Sequence, residues 1–283
     1  MDACLNEYCL LICVTGNGGP ALSKTLLYRL PFTIYHLPTS TQYENMKLDI
    51  LVLAAHPDDA ELGCAGTILK HISFGHKVGI VDFTRGELGT RGTPKIRAKE
   101  SVEAAKLLGV SVRENLNLAD GFFDDDKPHQ LSVIHAIRKF KPEIVLANAT
   151  YDRHSDHGKA AQLAHDACFL SGLVKIETKD GGKLQPPWRP KALYHYVQSQ
   201  LMLPDFIVDI SGFWDKKIEA IRSYKSQFYD PASKEPESYV SNPNFLKMVE
   251  ARAIEFGHAI GTSHGEGYTV RRPMGVKSLL EVF

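Results

Sequence analysis

The chain has 283 residues, with 33 Lys+Arg against 33 Asp+Glu, 43% hydrophobic and 23% charged residues, which bounds it to one large globular domain or two small ones. Its zero net charge excludes a nucleic-acid binder that works through a global positive field, while leaving room for a local basic pocket. No apolar stretch is long enough for a membrane span, and the apolar run Cys9-Leu10-Leu11-Ile12-Cys13-Val14 is short and preceded by Asp2 and Glu7 rather than basic residues, so no membrane partner and a cytoplasmic location are expected.

Residues 1–45 show neither helical nor strand periodicity and hold Cys4, Cys9 and Cys13. They are expected to be a non-native or disordered extension, with Met46 as the natural start and residues 46–283 as a single domain. The three cysteines match no structural zinc spacing, and Gly16-Asn17-Gly18-Gly19 reads as a flexible turn rather than a phosphate loop. Cys64 and Cys168 fall in helix-like segments and are expected in the core.

From residue 48 strands and helices alternate. Leu48–Ala55 is a continuous apolar run, as in a strand buried on both faces. Ala60–Phe74 has helical spacing, with Asp58 or Asp59 available as cap and Gly75 as stop. Strand Lys77–Thr84, helix Pro94–Leu108, strand Asn115–Leu118, helix His129–Phe140, strand Glu143–Asn148 and helix Asp156–Leu170 follow. Strands Ala192–Val197 and Phe206–Ile210 and helices Gly212–Tyr224 and Asn244–Phe256 complete the reading. The order predicts an α/β, Rossmann-like fold, with a mainly parallel sheet and helices on both faces. In the usual doubly wound order the first and fourth strands are neighbours, and ligands bind beyond their C-terminal ends.

Two segments occupy those ends. His56-Pro57-Asp58-Asp59 closes the first strand, and Arg153-His154-Ser155-Asp156-His157 follows the fourth. Either alone reads most simply as a turn or a helix cap. Together they offer His56, Asp59 and His157 to a divalent metal, with positions left open as a hydrolytic site requires. Asp58 then suits a general base. His154 is placed to assist an oxyanion or protonate a leaving amine, and Asp156 to set the tautomer of His154 and favour its protonated form. His71, His76, His129, His135, His165 and His195 read as surface or helix-face residues.

The paired motifs, with Ala60-Glu61, Thr84-Arg85-Gly86-Glu87, the helix bearing Arg97, and Ala251-Arg252 through Gly265-Glu266-Gly267-Tyr268, resemble the PIG-L/LmbE-like N-acetylglucosamine deacetylases over residues 47–283. The resemblance implies one zinc ion per subunit on His56, Asp59 and His157, Asp58 as base and His154 on the oxyanion side. Ser155 departs from the family, where proline is common. It also implies a homo-oligomer, a trimer or hexamer. A narrower resemblance, carried by Tyr239–Phe245 and Ser263–Tyr268, points to the deacetylases of bacillithiol biosynthesis, which act on N-acetylglucosaminyl-malate.

Arginine is the natural partner of a malate carboxylate, so Arg85, Arg97 and Arg153 are candidate substrate-binding residues, with Glu87 for a sugar hydroxyl. Arg97 reads equally as a solvated helix charge, and Glu87 as a loop carboxylate in water. A thiol S-conjugate amidase, a deacetylase of another N-acetylated sugar, and a sugar- or metal-binding protein are the rival functions. His and Asp ligands would also accept iron(II) or cobalt.

Overall fold

The computed structural model describes residues 46–281. The expectations for residues 1–45, including those for the three cysteines, lie outside the described residues.

Strands β1 (Ile50–Ala54), β2 (Val78–Thr84), β3 (Val112–Leu118) and β4 (Ile144–Ala147) alternate with helices α1 (Asp59–Ser73), α2 (Pro94–Leu108), α3 (Lys127–Phe140) and α4 (Ser155–Leu170). A two-residue-per-strand hairpin, β5 (Lys179–Asp180) and β6 (Lys183–Leu184), precedes β7 (Ala192–Tyr196) and β8 (Phe206–Asp209). Helices α5 (Trp214–Arg222) and α6 (Phe245–Ala259) and strand β9 (Gly265–Thr269) follow. The main sheet has seven strands in the order β3-β2-β1-β4-β7-β9-β8. It is parallel from β3 to β7, and β9 pairs antiparallel with both β7 and β8. The first and fourth strands are therefore neighbours, as the alternating pattern requires.

The apolar run of β1 faces two cores, because side chains of a strand alternate between faces. Leu51 and Leu53 pack with Val133, Ile137, Leu163 and Ala167 of α3 and α4. Ile50, Val52 and Ala54 pack on the other face with Ala60, Cys64 and Ile68 of α1. Cys64 and Cys168 are buried core residues. Among the described residues no helix is long and apolar enough to cross a membrane.

Local chemistry sets the helix ends. Thr93 caps α2, accepting from the Ile96 amide, and Pro94 stands at its start. Asp126 caps α3, accepting from the His129 amide. Asp58 occupies the cap position of α1 but makes no side-chain cap bond, and its φ of 115° is left-handed; such a conformation in a non-glycine residue costs about 1–3 kcal/mol.

Three details differ from the sequence reading. β3 begins at Val112, three residues early, because its polar stretch Arg113–Asn117 lies at the sheet edge. β9 was not expected, since Gly265 and Gly267 weaken a strand pattern. His195 is buried, with Nδ1 bonded to the Asn148 carbonyl at 2.8 Å, because β7 is an interior strand rather than a helix face.

A buried ionic cluster ties β3 and β2 to α1. Arg113 donates to Glu61 at 2.5 Å and to both oxygens of Asp82 at 2.8 and 2.9 Å. Removing the cation leaves two buried carboxylates unpaired. Arg113→Met should therefore lower the unfolding free energy by about 3–5 kcal/mol, measured by urea denaturation at an unchanged m value.

Candidate metal and catalytic site

The C-terminal ends of β1 and β4 bring the two motifs into one cavity of about 520 Å³, whose walls include His56, Asp58, Asp59, His154 and His157. The three imidazoles converge, with one ring nitrogen of each within 4.8 Å of the others. Asp59 bridges two of them. Its Oδ2 lies 3.5 Å from His56 Nδ1, and its Oδ1 lies 3.1 Å from His157 Nε2.

Each of those two imidazoles is fixed from behind. His56 Nε2 faces Asp120 at 3.0 Å and Asp156 at 3.3 Å. His157 Nδ1 faces Asp152 at 2.5 Å. A carboxylate on the far nitrogen of an imidazole sets its tautomer and raises its basicity, the usual support of a metal-bound histidine. Asp59 is held by the His56 amide, Asn148 and Gln198 at 2.9, 3.0 and 3.0 Å. Although burial opposes positive charge, the surrounding carboxylates raise His56 well above the ordinary value and raise His157 to about 9. Burial opposes negative charge on Asp59, yet the neighbouring imidazoles hold it well below the usual carboxylate range. The field at the centre of the cluster thus favours a cation, and two sets of donors converge closely enough to hold a metal ion, His56 with His154 and His157, and His56 with Asp120 and Asp156.

His154 differs from the other two. It caps α4, and its Nδ1 accepts from the Asp156 amide at 3.3 Å. Burial, reinforced by the charge of the neighbouring imidazoles, pushes its pKa down. With Nδ1 engaged as an acceptor, Nε2 is the ring nitrogen left to act as a donor. The charge of Asp156 favours protonation of His154, as expected, but no hydrogen bond joins its carboxylate to that imidazole among the described residues. The carboxylate turns to the opposite side, onto His56 and the Gly121 amide at 3.3 and 2.8 Å, because it lies in the first turn of α4 facing β1.

Asp58 faces the cavity beside the cluster. Burial pushes its carboxyl up to about 7, against the opposing charge of Arg97, whose guanidinium lies 2.9 Å away. A base in that range is matched to neutral pH. Arg97 also donates to the Pro57 carbonyl, so it holds both the strained turn and its carboxylate. A Cβ at Gly86 would collide with this guanidinium, which accounts for glycine there.

The four expected substrate contacts separate. Arg97 is buried on Asp58 rather than extended into solvent. Arg85 is exposed and lies 4.0 Å from Glu87, and Glu87 accepts from the Asp120 and Arg85 amides; neither lines the cavity. Their loop turns back on itself after β2, which directs the Glu87 carboxylate at backbone amides. Arg153 does line the cavity, stacked over the Tyr239 ring at 4.0 Å.

Asp120, Asp152, Asn148 and Gln198 escaped the sequence reading. Asp120 and Gln198 stand just beyond β3 and β7, and Asn148 just beyond β4. The rule that strand ends carry the site applies to all of them, but only histidine-containing ends were distinctive enough to be noticed. Asp152 lies next to the second motif and had no signal of its own.

Residues 51–168 match the PIG-L family, GlcNAc-PI de-N-acetylase. A solved structure, the conserved protein TT1542 from Thermus thermophilus, is 35% identical with a TM-score of 0.73, covering 82% of this chain and 98% of that one. The chain belongs to the PIG-L family. Two curated proteins are also similar. The diacetylchitobiose deacetylase of Thermococcus kodakarensis is 27% identical over 261 residues, covering 89% of this chain and 91% of that protein. The probable N-acetyl-alpha-D-glucosaminyl L-malate deacetylase 2 of Bacillus subtilis is 27% identical over 197 residues, covering 64% and 84%.

In this PIG-L family member the carboxylate behind His157 should matter nearly as much as a ligand. Asp152→Ala is expected to weaken metal binding by about 10- to 100-fold, measured by competition with a chromogenic chelator, while the far-ultraviolet circular dichroism stays that of the parent.

Proposed function

We propose that the protein hydrolyses the N-acetyl group of an N-acetylglucosaminyl conjugate, releasing acetate and a free amine, with zinc as the metal. The observation that carries this reading is Asp58. Its carboxylate is buried at the cavity wall, held by Arg97, and adjacent in sequence to the ligand Asp59 without being drawn into the ligand cluster. A protein that only stored metal or bound sugar would need no such base.

His56, Asp59 and His157 would hold the ion. When bound, zinc lowers the pKa of a water and polarises an amide oxygen. Asp58 accepts a proton from the attacking water as its oxygen bonds to the carbonyl carbon. His154 Nε2–H donates to the oxygen that gains negative charge. The carbon–nitrogen bond then breaks, and the proton held on Asp58 passes to the departing nitrogen, which leaves as an amine.

For the substrate, N-acetylglucosaminyl-malate remains the finer reading, in bacillithiol biosynthesis. Arg153 supports it. This arginine lies at the cavity wall, exposed, with no carboxylate partner among the described residues, and its guanidinium carbon sits 4.0 Å from the centre of the Tyr239 ring. A malate carboxylate is a bidentate match for it. The wide coverage of the Thermococcus enzyme supports the second reading, an N-acetylated chitooligosaccharide.

The deciding experiment measures acetate released from N-acetylglucosaminyl-malate, from diacetylchitobiose and from a thiol S-conjugate, with and without chelator. Chelator-sensitive acetate release, fastest from the malate conjugate, is expected. Release of a larger acid from the S-conjugate, or no cleavage of any amide, overturns the reading. Asp58→Asn should retain metal and lose about 10²–10⁴-fold in kcat; metal content and turnover measured on the same sample check both halves.

A further inference from the structure

Helix α1 is broken one turn after the site. Cys64 has φ −146° and ψ 18°, outside the helical region. The turn before this break, Asp59–Gly63, follows Asp58 and carries the ligand Asp59. In an unbroken helix the Gly66 amide would donate to the Leu62 carbonyl, and the Thr67 amide to that of Gly63. Both amides are instead taken by Glu266 of β9, at 2.9 Å from Gly66 and 2.7 Å from Thr67. Lys217 of α5 donates to the Leu62 carbonyl at 2.8 Å and to Glu266 at 2.6 Å.

An ion pair from two distant elements thus stands in the backbone ladder at the break. Insertion of a side chain into the ladder is a recognised cause of a sharp kink. The charges also match the peptide dipoles: the carboxylate meets the amide end of the second segment and the ammonium meets the carbonyl end of the first. Both side chains are 3% exposed, and both line the cavity that holds Asp58 and Asp59. Tyr268 of β9 donates to Thr67 Oγ1 at 2.7 Å, which fixes the second segment. On the other side of the break, a Cβ at Gly63 would collide with the Tyr196 ring, so the first turn is pressed against β7.

We propose that the Lys217–Glu266 pair is the positioning device of the catalytic turn: by holding α1 open at Cys64, it sets the direction from which Asp58 and Asp59 enter the cavity. Both Glu266 oxygens already accept bonds from Gly66, Thr67 and Lys217, so the residue acts through the turn and contributes no ligand atom. The inference deepens the deacetylase reading and rests on it only for its kinetic readout.

The test uses the full chain with two variants. Glu266→Gln keeps the shape and one acceptor, and Lys217→Met/Glu266→Gln removes both charges so that neither is left unpaired. Each is loaded with cobalt(II), whose visible bands report ligand geometry without any substrate. Moved bands and cobalt affinity weaker by about 10-fold or more are expected, with faster amide exchange across residues 59–67. With the acetylated substrate, kcat should fall by about 10- to 100-fold, as for a small misplacement of reacting groups, with KM little changed. Unchanged bands, affinity and exchange, with only a lower melting temperature, overturn the proposal. If the parent protein releases no acetate, the deacetylase reading fails, and the cobalt bands and the exchange still decide the positioning role.

Discussion

Because β1 and β4 pair in parallel, with Ile50 opposite Ile144 and Leu53 opposite Ala147, the two chains leave the sheet at the same end. Residues as far apart as His56 and Asp156, 100 positions in sequence, therefore meet. Register is fixed from both sides, since alternate residues of β1 belong to two separate cores and a slip of one residue would exchange them. Just beyond the ladder the Ala55 amide donates to the Asn148 side chain at 2.8 Å. A side chain thus continues the pairing as the strands part. The same Asn148 then donates to Asp59 at 3.0 Å, so the residue that opens the crevice also orients that carboxylate.

Charge organises what fills the crevice. Asp59, Asp120, Asp152 and Asp156 surround two imidazoles, and their joint effect is to favour positive charge on His56 and His157. The arginines at the cavity wall are tied down: Arg97 is held on Asp58 and the Pro57 carbonyl, and Arg252 is turned to the carbonyls of Gln198 and Ser199. Arg153, by contrast, has no carboxylate partner among the described residues and stands at the cavity wall, where an anionic substituent of a substrate could meet it.

Much of this was legible in the sequence because it rests on local patterns. The apolar run of β1, Pro94 at the start of α2, and the two histidine motifs each announce themselves within a few residues. What escaped depends on tertiary placement. β9 reads Gly-Glu-Gly-Tyr-Thr, a poor strand pattern, but Gly265 and Gly267 are needed because a Cβ there would strike Ile207 and Phe256. Asp156 follows a histidine and invites pairing with it, yet the helix turns its carboxylate toward His56, a choice made by the packing of α4 against β1. Arg97 has the spacing of a surface helix residue, yet it folds inward onto Asp58 and the Pro57 carbonyl, into space left by the glycine at 86.

The turn bearing Asp58 and Asp59 shows why such a site needs a whole domain. It opens on a left-handed residue and ends at a break in its helix, so neither boundary is a conformation the local chain prefers. Strain of this kind persists where surrounding structure over-determines it. Here the holding groups are Arg97 from α2, Lys217 from α5 and Glu266 from β9. Every group that handles the metal or a proton in the proposed reaction lies between His56 and His157, whereas Gln198, Lys217, Tyr239 and Glu266 all come later in the chain. The first part of the domain therefore carries the chemistry. The last part contributes no reacting atom in that reaction, but in the proposed arrangement it aims the turn, holds Asp59 through Gln198, and seats Arg153 over Tyr239. Substitutions in that last part can change how well the site works, and on what, without altering a single ligand.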